Sequence, residues 1–457
     1  MPQYFIIITF LVILTTWSPH ASGSKSSRIN EEAPEAKPSD QPSYDQFFFE
    51  AALRVDLIHT GVRGKEFFGI EELVREPLWP GPRNHLIDPI GHGKYRFRVF
   101  DQATSSEIFS RGYCTLFGEW LATEDAMSGT YRSMSEPIRF PFPKRPVTVQ
   151  IEVRSDKDGK FIQIQSLDID TKDYHVRNSL VHDFDVRTLL DNPKHPSQTV
   201  DVLFIPDGYT AAEHEKMIAD AERFTHSLMT HAPFDRHAGS MAVRLVEAFS
   251  PQSGTDEPRK GIFQHTLVDT SFDTFYSPRY LTTTNLKKLR EVAALAPYDT
   301  IIVMVNSNRY GGGGIFGTFS VFTSDNDYAE YVLVHEFGHG FGGLGDEYYT
   351  SSTGYDEDAF YAKGLEPWEP NITAELNPKK LKWKHLLTPN VPIPTPDTAE
   401  YEGVVGLFEG AGYKAKGLYR STRNSKMFHK GLLEFGPVNE AAIIKMIQYF
   451  SDEKGLQ

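Results

Sequence analysis

The first half of the chain alternates hydrophobic and polar residues with a period of two. Over residues 53–57, Leu and Val alternate with Arg and Asp, and over residues 147–153, Val and Ile alternate with Thr, Gln and Glu. The alternation resumes after an Asp-Gly turn at residues 155–159. Period two on both sides of such a turn predicts a β-hairpin. We therefore expect a β-rich, sandwich-like N-terminal domain over residues 45–175.

After about residue 185 the pattern changes to short apolar runs separated by segments with helical periodicity. Buried strands are predicted at residues 200–206, 242–248 and 300–305. Thr210 and Glu213 have the spacing of a capping box before a long amphipathic helix, and Pro437 suits the first turn of a final helix. Strands that alternate with helices predict an α/β (α+β) domain, here over residues 185–452.

The N-terminus carries the features of an exported chain. Residues 4–17 are apolar or weakly polar, a run shorter than the roughly 20 residues that span a bilayer, and small residues follow. We expect a signal peptide over residues 1–23 and a disordered linker, rich in Ser, Glu and Pro, over residues 24–44. The protein would then be secreted, periplasmic or on the cell surface, and an uncleaved anchor is the alternative that would tie it to a membrane.

Composition narrows the available chemistry. The 47 basic and 61 acidic residues give a net charge of −14, which argues against a nucleic-acid partner. The single cysteine, Cys114, excludes an intrachain disulfide, a thiolate zinc knuckle and an iron–sulfur site. An exported chain with one cysteine is more typical of bacteria than of eukaryotes. Catalysis must therefore rely on oxygen and imidazole groups.

One segment has the spacing of a metal site. His335, Glu336 and His339 form an HExxH motif within an apolar stretch that predicts a helix. Side chains at i and i+4 share one helix face, so both histidines can bind one zinc ion, and the glutamate can act as the general base. The apolar residues before the motif argue against a chance match on a surface helix, because two buried histidines without partners would be costly.

A zinc site also needs a third protein ligand. We expect Asp325 or Asp327 to cap the start of the motif helix, and glycines from residue 342 onward to end it and reverse the chain. In the metzincin pattern HExxHxxGxxH the third ligand would fall at residue 345, which is glycine here. We assign Asp346, one residue further on, as the ligand. Glu347 is the alternative ligand, and Asp346 would then orient a histidine.

Several segments resemble the M64 peptidase family. They are HEFGHGFGGLGDEYY, VDVLFIPDGYT, EPWEPNIT, GLFEGAGY and MFHKGLLEF, and the likeness covers most of residues 45–450, including a β-rich N-terminal module. The resemblance implies a metzincin-like zinc metallopeptidase with a Met-turn at Met427. It places the family's zinc motif on His335, Glu336, His339 and Asp346.

Four further features bear on the site. His429 follows the Met-turn by two residues and is a candidate for transition-state stabilisation, and Tyr348 is a candidate for substrate contact, although packing roles are the alternative. The metzincin-like resemblance also implies that residues 317–322 form the edge strand that pairs with extended substrate. The glycine run at 311–314 lacks the Gly-Lys-Ser/Thr of a phosphate loop, so we expect no nucleotide and interpret it as a loop before that strand.

These observations predict an exported metalloendopeptidase with one Zn²⁺ per chain and a protein or peptide substrate. Glu336 would take a proton from zinc-bound water and pass it to the leaving amine. Two alternatives remain open. The chain could be a surface adhesin or glycan-binding protein with a vestigial zinc site, or a zinc amidase that acts on a non-protein substrate.

Overall fold

The computed structural model describes residues 41–180, 182–349, 356–431 and 433–452. The predicted signal peptide and residues 24–40 of the predicted linker lie outside them. The last linker residues are part of the folded module, because Gln41 donates to the carbonyl oxygen of Ile87 (2.9 Å) and accepts its N–H (2.8 Å). Tyr44 is also buried. No helix within the described part of the chain is long and apolar enough to cross a membrane.

The N-terminal module is rich in strands, as predicted. Its elements are α1 (Tyr44–Phe47), β1 (Phe48–Val62), β2 (Lys65–Glu76), β3 (Tyr95–Asp101), β4 (Glu107–Tyr113), α2 (Leu116–Trp120), α3 (Glu124–Met127), β5 (Arg132–Pro143), β6 (Val147–Arg154), β7 (Phe161–Ile169) and β8 (Val176–Asn178). Two four-stranded sheets, in the orders β5-β1-β2-β8 and β4-β3-β6-β7, enclose a shared hydrophobic core. The predicted hairpin is the antiparallel pair β6–β7.

The second unit mixes strands and helices. Its elements are β9 (Val186–Leu190), β10 (Val200–Asp207), α4 (His214–Met229), α5 (Phe234–His237), β11 (Met241–Val246), β12 (Thr270–Ser271), β13 (Thr282–Thr283), α6 (Leu286–Ala293), β14 (Thr300–Val305), β15 (Gly312–Ile315), β16 (Phe319–Thr323), α7 (Ala329–Gly340), α8 (Glu357–Phe360), β17 (Ile372–Thr373), β18 (Phe408–Ala411), β19 (Lys414–Arg420) and α9 (Pro437–Phe450). The three predicted strands form the centre of a six-stranded sheet of order β15-β16-β14-β10-β11-β9. The Thr210–Glu213 capping box is present.

The outer strand of this sheet was assigned wrongly from the sequence. The glycine run is not a loop: residues 312–315 form the edge strand β15, and β16 lies one position inside. A Cβ atom on Gly314 would approach the carbonyl oxygen of Glu336 to 2.5 Å, and one on Gly312 would approach Val332 Cγ1 to 2.6 Å. The glycines thus let β15 lie directly on α7. A strand of three glycines and one isoleucine carries no period-two signal.

The caps of α7 also differ from the prediction. Neither Asp325 nor Asp327 caps the helix, whose N-cap residue is Tyr328. Asn326 Oδ1 instead accepts the N–H of Tyr328 (2.9 Å) just before the first turn. The helix ends before the glycines at 342–343, and Gly343 then takes a φ of +67°, in the left-handed region that favours glycine.

Buried polar contacts join the two units. Arg54 and Asp56, predicted on the polar face of β1, are fully buried, and Arg54 pairs with Asp56 (2.9 Å) and with Glu291 on α6 (2.7 Å). Cys114, just after β4, donates its N–H to the carbonyl oxygen of Phe316 beside the edge strand (2.9 Å). Side chains of α2 pack in the core of the second unit. The module therefore contacts the sheet close to its outer strand.

Candidate metal centre

Two histidines and one carboxylate converge at the C-terminal part of α7. His335 Nε2 and His339 Nε2 are 3.1 Å apart, and each lies 3.2 Å from Asp346 Oδ1. Tetrahedral zinc with bonds of about 2.1 Å would separate its ligand atoms by about 3.4 Å. The three atoms therefore form a triangle of nearly the size that one face of such a site requires.

The histidine rings are oriented by backbone carbonyl groups. His335 Nδ1 donates to the carbonyl oxygen of Lys426 (3.1 Å), and His339 Nδ1 donates to that of Leu344 (2.6 Å). Since a carbonyl oxygen only accepts, each Nδ1 carries the proton of the neutral ring, and each Nε2 presents a lone pair. Both lone pairs are directed to the space beside Asp346. This is the tautomer that a metal ligand needs.

The electrostatics of this cluster favour a cation. Asp346 Oδ1 is buried and has no hydrogen-bond partner among the described residues. Burial alone would raise the pKa of Asp346, but His339 and His335 hold it well below its usual range. Burial alone would lower the pKa of His339, but the Asp346 carboxylate raises it to about 9. A buried carboxylate oxygen beside two imidazole lone pairs is a donor set that fits a divalent metal.

Glu336 lies beside this cluster and lines the cleft above it. Its carboxylate accepts no hydrogen bond from any residue that the structure describes, and it lines the same cleft as the histidines. A Cβ atom on Gly312 would lie 2.9 Å from Glu336 Oε1, so the glycine of β15 leaves room for this side chain. Burial raises the pKa of Glu336, although His335 and His339 oppose the shift.

Glu347, the alternative third ligand, has a different role in the structure. Its carboxylate is fully buried and accepts hydrogen bonds from Ser425 Oγ, from Asn371 Nδ2 (3.1 Å) and from Asn439 Nδ2 (3.1 Å). Its own N–H donates to the carbonyl oxygen of Met427 (3.0 Å). Glu347 therefore braces the loops around the cluster, and the structure does not bring it to the histidines.

Met427 packs against the helix that carries His335 and His339. It is fully buried in the core that contains α7, and a Cβ atom on Gly338, between the two histidines, would be 3.1 Å from its sulfur. The preceding carbonyl group, that of Lys426, orients His335. The segment around Met427 thus packs against the helix that carries the two histidines.

A cleft of about 890 Å³ opens over the cluster. His429 and Tyr348, the two predicted contact residues, both line it. Lys94, Arg154 and Ile162 of the N-terminal module line it as well. The sequence did not predict that both units line the cleft, because contact between two distant segments leaves no local pattern.

The edge strand offers one open backbone position beside the cleft. The N–H of Gly312 donates a hydrogen bond to the carbonyl oxygen of Arg279 (3.3 Å). The carbonyl oxygen of Gly312 accepts one from the N–H of Leu281 (3.2 Å). Alternate residues of an antiparallel strand direct these groups to the same side, so those of Gly314 face the same edge. No described residue outside the sheet pairs with them. Gly314 also lines the cleft.

Sequence reasoning missed the residue that holds Asp346 from the other side. The hydroxyl of Tyr413, in the turn between β18 and β19, donates to Asp346 Oδ2 (2.6 Å). Tyr413 ends the GLFEGAGY segment, for which the sequence suggested no function. The only signal available was the family resemblance of that segment, because no spacing relates residue 413 to the HExxH motif.

Comparison with known families agrees with this geometry. A family model described as IgA Peptidase M64 matches residues 189–401, and one described as Peptidase M64 N-terminus matches residues 43–165. Together they cover most of the chain, which therefore belongs to the M64 peptidase family and is a metallopeptidase by membership. A search of curated proteins found no match.

Proposed function

We propose that this protein is an exported zinc endopeptidase. The observation that carries the proposal is the convergence of three ligand atoms, the Nε2 atoms of His335 and His339 and Oδ1 of Asp346, within 3.2 Å of one another. Membership of a peptidase family supports the reaction class. The predicted signal peptide is the reason to propose export, and the proposed domains remain 45–175 and 185–452.

His335, His339 and Asp346, which all line the cleft, would hold the metal. Zinc bound there would polarise a substrate carbonyl group and lower the pKa of a bound water from 15.7 to about 7. Two nitrogen donors and one carboxylate are a donor set typical of catalytic zinc. Met427 would serve as the Met-turn that supports the two histidines.

Glu336 would act as the general base and then as the general acid. Its carboxylate is free of hydrogen bonds from described residues, so it can accept a proton from water. Burial raises its pKa, which makes the carboxylate a better proton acceptor. It would then return the proton to the leaving amine as the peptide bond breaks.

The substrate would bind as an extended peptide. A cleft of about 890 Å³ is large enough for several residues, and the open N–H and C=O of Gly314 offer an antiparallel pairing point. This pairing would use β15 rather than the strand predicted from the sequence. Tyr348 would contact substrate, and His429 would stabilise the transition state, because both line the cleft.

Metal analysis combined with cleavage of a mixed peptide library tests this function against the two alternatives. A zinc endopeptidase should contain zinc, cleave internal peptide bonds, lose activity on chelation and regain it with added zinc. An adhesin with a vestigial site would cleave nothing. A zinc amidase would contain zinc and leave every peptide intact while it hydrolysed a non-protein amide.

A further inference from the structure

The turn between β18 and β19 has a conformation that ordinary residues avoid. Tyr413 has a φ of +65°, in the left-handed region, and the preceding Gly412 has a φ of +56°. For a bulky aromatic residue this conformation is a genuine outlier and costs free energy. The surrounding structure must compensate for this cost, and strained residues of this kind cluster at functional sites.

Backbone hydrogen bonds fasten this turn to the segment that follows the motif helix. The N–H of Gly412 donates to the carbonyl oxygen of Asp346 (2.9 Å), and the N–H of Tyr413 donates to that of Tyr348 (2.9 Å). A Cβ atom on Gly410 would lie 2.4 Å from the Tyr349 ring, so this glycine permits close approach. The turn thus holds residues 346–349 along one side.

The side chain of Tyr413 adds a third hydrogen bond between this turn and the segment that follows the motif helix. Its hydroxyl donates to Asp346 Oδ2 at 2.6 Å, whereas Oδ1 of the same carboxylate lies 3.2 Å from both histidine Nε2 atoms. A short hydrogen bond to a charged oxygen is stronger than a neutral one. The bond fixes the rotation of the carboxylate, so that one oxygen is held by the tyrosine and the other is left for the metal.

We propose that Tyr413 is a positioning residue for the metal, and that the left-handed turn exists to deliver its hydroxyl to Asp346. This inference rests on the proposed function, because it assumes that Asp346 is a ligand. Outer hydrogen-bond partners of metal ligands typically account for 10- to 100-fold in metal affinity. Tyr413 acts through Asp346 and need not touch the substrate.

The variant Tyr413→Phe removes the hydroxyl and keeps the ring that packs against Tyr348, with ring centroids 5.5 Å apart. Its zinc dissociation constant, measured by competition with a chromophoric chelator, should rise by about 10- to 100-fold. The control is Tyr419→Phe on β19 of the same hairpin, whose hydroxyl interacts with Glu409. The control should bind zinc within about twofold of the wild type, well inside the expected change.

Two further measurements separate positioning from folding. The melting temperature of the metal-free protein should be similar in the two variants, which shows that Tyr413→Phe folds. The absorption bands of the Co²⁺-substituted protein should change only in Tyr413→Phe, because they report the geometry of the bound ligands.

The outcomes are distinct. Wild-type protein that binds no zinc contradicts the proposed function itself. Wild-type protein that binds zinc, together with a Tyr413→Phe variant of equal affinity and an unchanged Co²⁺ spectrum, overturns only the role of Tyr413. Equal weakening of zinc binding in Tyr413→Phe and Tyr419→Phe also overturns it, since the effect would then belong to the hairpin as a whole.

Discussion

Asp346 and Glu347 are neighbours in the chain, but only Asp346 reaches the histidines of the motif helix. Oδ1 of Asp346 lies 3.2 Å from His335 Nε2 and from His339 Nε2. The carboxylate of Glu347 is buried instead, and it accepts hydrogen bonds from Ser425 and from two asparagines. Two chemically similar side chains therefore have different surroundings: Asp346 belongs to the histidine cluster, and Glu347 braces the surrounding loops.

This difference gives opposite expectations for Asp346→Ala and Glu347→Gln. Asp346→Ala should lose bound zinc and keep its fold, because it removes a ligand. Glu347→Gln should bind zinc but unfold more easily, by about 1–3 kcal/mol, because an amide group would face donors that now meet a carboxylate. Zinc content and urea unfolding of the metal-free protein measure both effects. Zinc loss in Glu347→Gln with full binding in Asp346→Ala would reverse the assignment.

Gly312 of the edge strand β15 should be needed for the full rate of catalysis. In Gly312→Ala the new Cβ would lie 2.9 Å from Glu336 Oε1 and 2.6 Å from Val332 Cγ1, so the glutamate must shift. A displacement of about 1 Å can cost about 100-fold in rate, so kcat should fall while zinc remains bound. Gly239→Ala is the matched control, since nothing lies within 4 Å of its Cβ position. Equal kcat values for Gly312→Ala and Gly239→Ala would contradict the claim that a Cβ atom at residue 312 displaces Glu336.

Glu291 forms ion pairs with Arg54 and Arg177 that join the two units. These ion pairs should make the free energy of unfolding depend on pH. Burial alone would raise the pKa of Glu291, but Arg177 and Arg54 lower it from 4.5 to about 2. A lowered pKa in the folded state means that the carboxylate stabilises the protein above pH 4.5 and that this contribution disappears as the pH falls toward 2. Glu291→Gln should therefore be less stable at pH 7, by about 3 kcal/mol.

The measurement is the free energy of unfolding of wild type and Glu291→Gln from pH 7 to pH 3. The difference between them should be largest near neutrality and should shrink below the ordinary pKa of a glutamate. Glu71→Gln is a suitable control, because its ion pair with Lys287 (2.9 Å) is partly exposed and should contribute little. A difference for Glu291→Gln that grows as the pH falls would contradict the assigned sign.

Much of the fold follows from local patterns in the sequence. Period-two alternation predicted the β6–β7 hairpin, and continuous apolar runs predicted the buried strands β10, β11 and β14. The Thr210–Glu213 capping box and the proline of α9 are as predicted. These features depend on neighbours in the chain, which is why they could be identified without a structure. The chain spacing of the HExxH motif likewise placed both histidines on one helix face.

The misassigned features depend on contacts between distant segments. The edge strand β15 is built largely of glycine because α7 lies directly against it. No local pattern in the sequence indicates that this helix comes so close. Arg54 appeared on a polar face because its partner Glu291 lies 237 positions away in the chain. Tyr413 reaches Asp346 through a turn 67 positions further on.

The central claim is that Glu336 transfers the proton in a metal-dependent cleavage. The decisive measurement is the rate of peptide cleavage by zinc-loaded Glu336→Gln relative to the wild type, with Glu330→Gln on the exposed start of the same helix as the control. We expect Glu336→Gln to bind a full equivalent of zinc and to cleave at least about 100-fold more slowly, while the control keeps the wild-type rate. A zinc-loaded Glu336→Gln that cleaves peptides at the wild-type rate would contradict the mechanism.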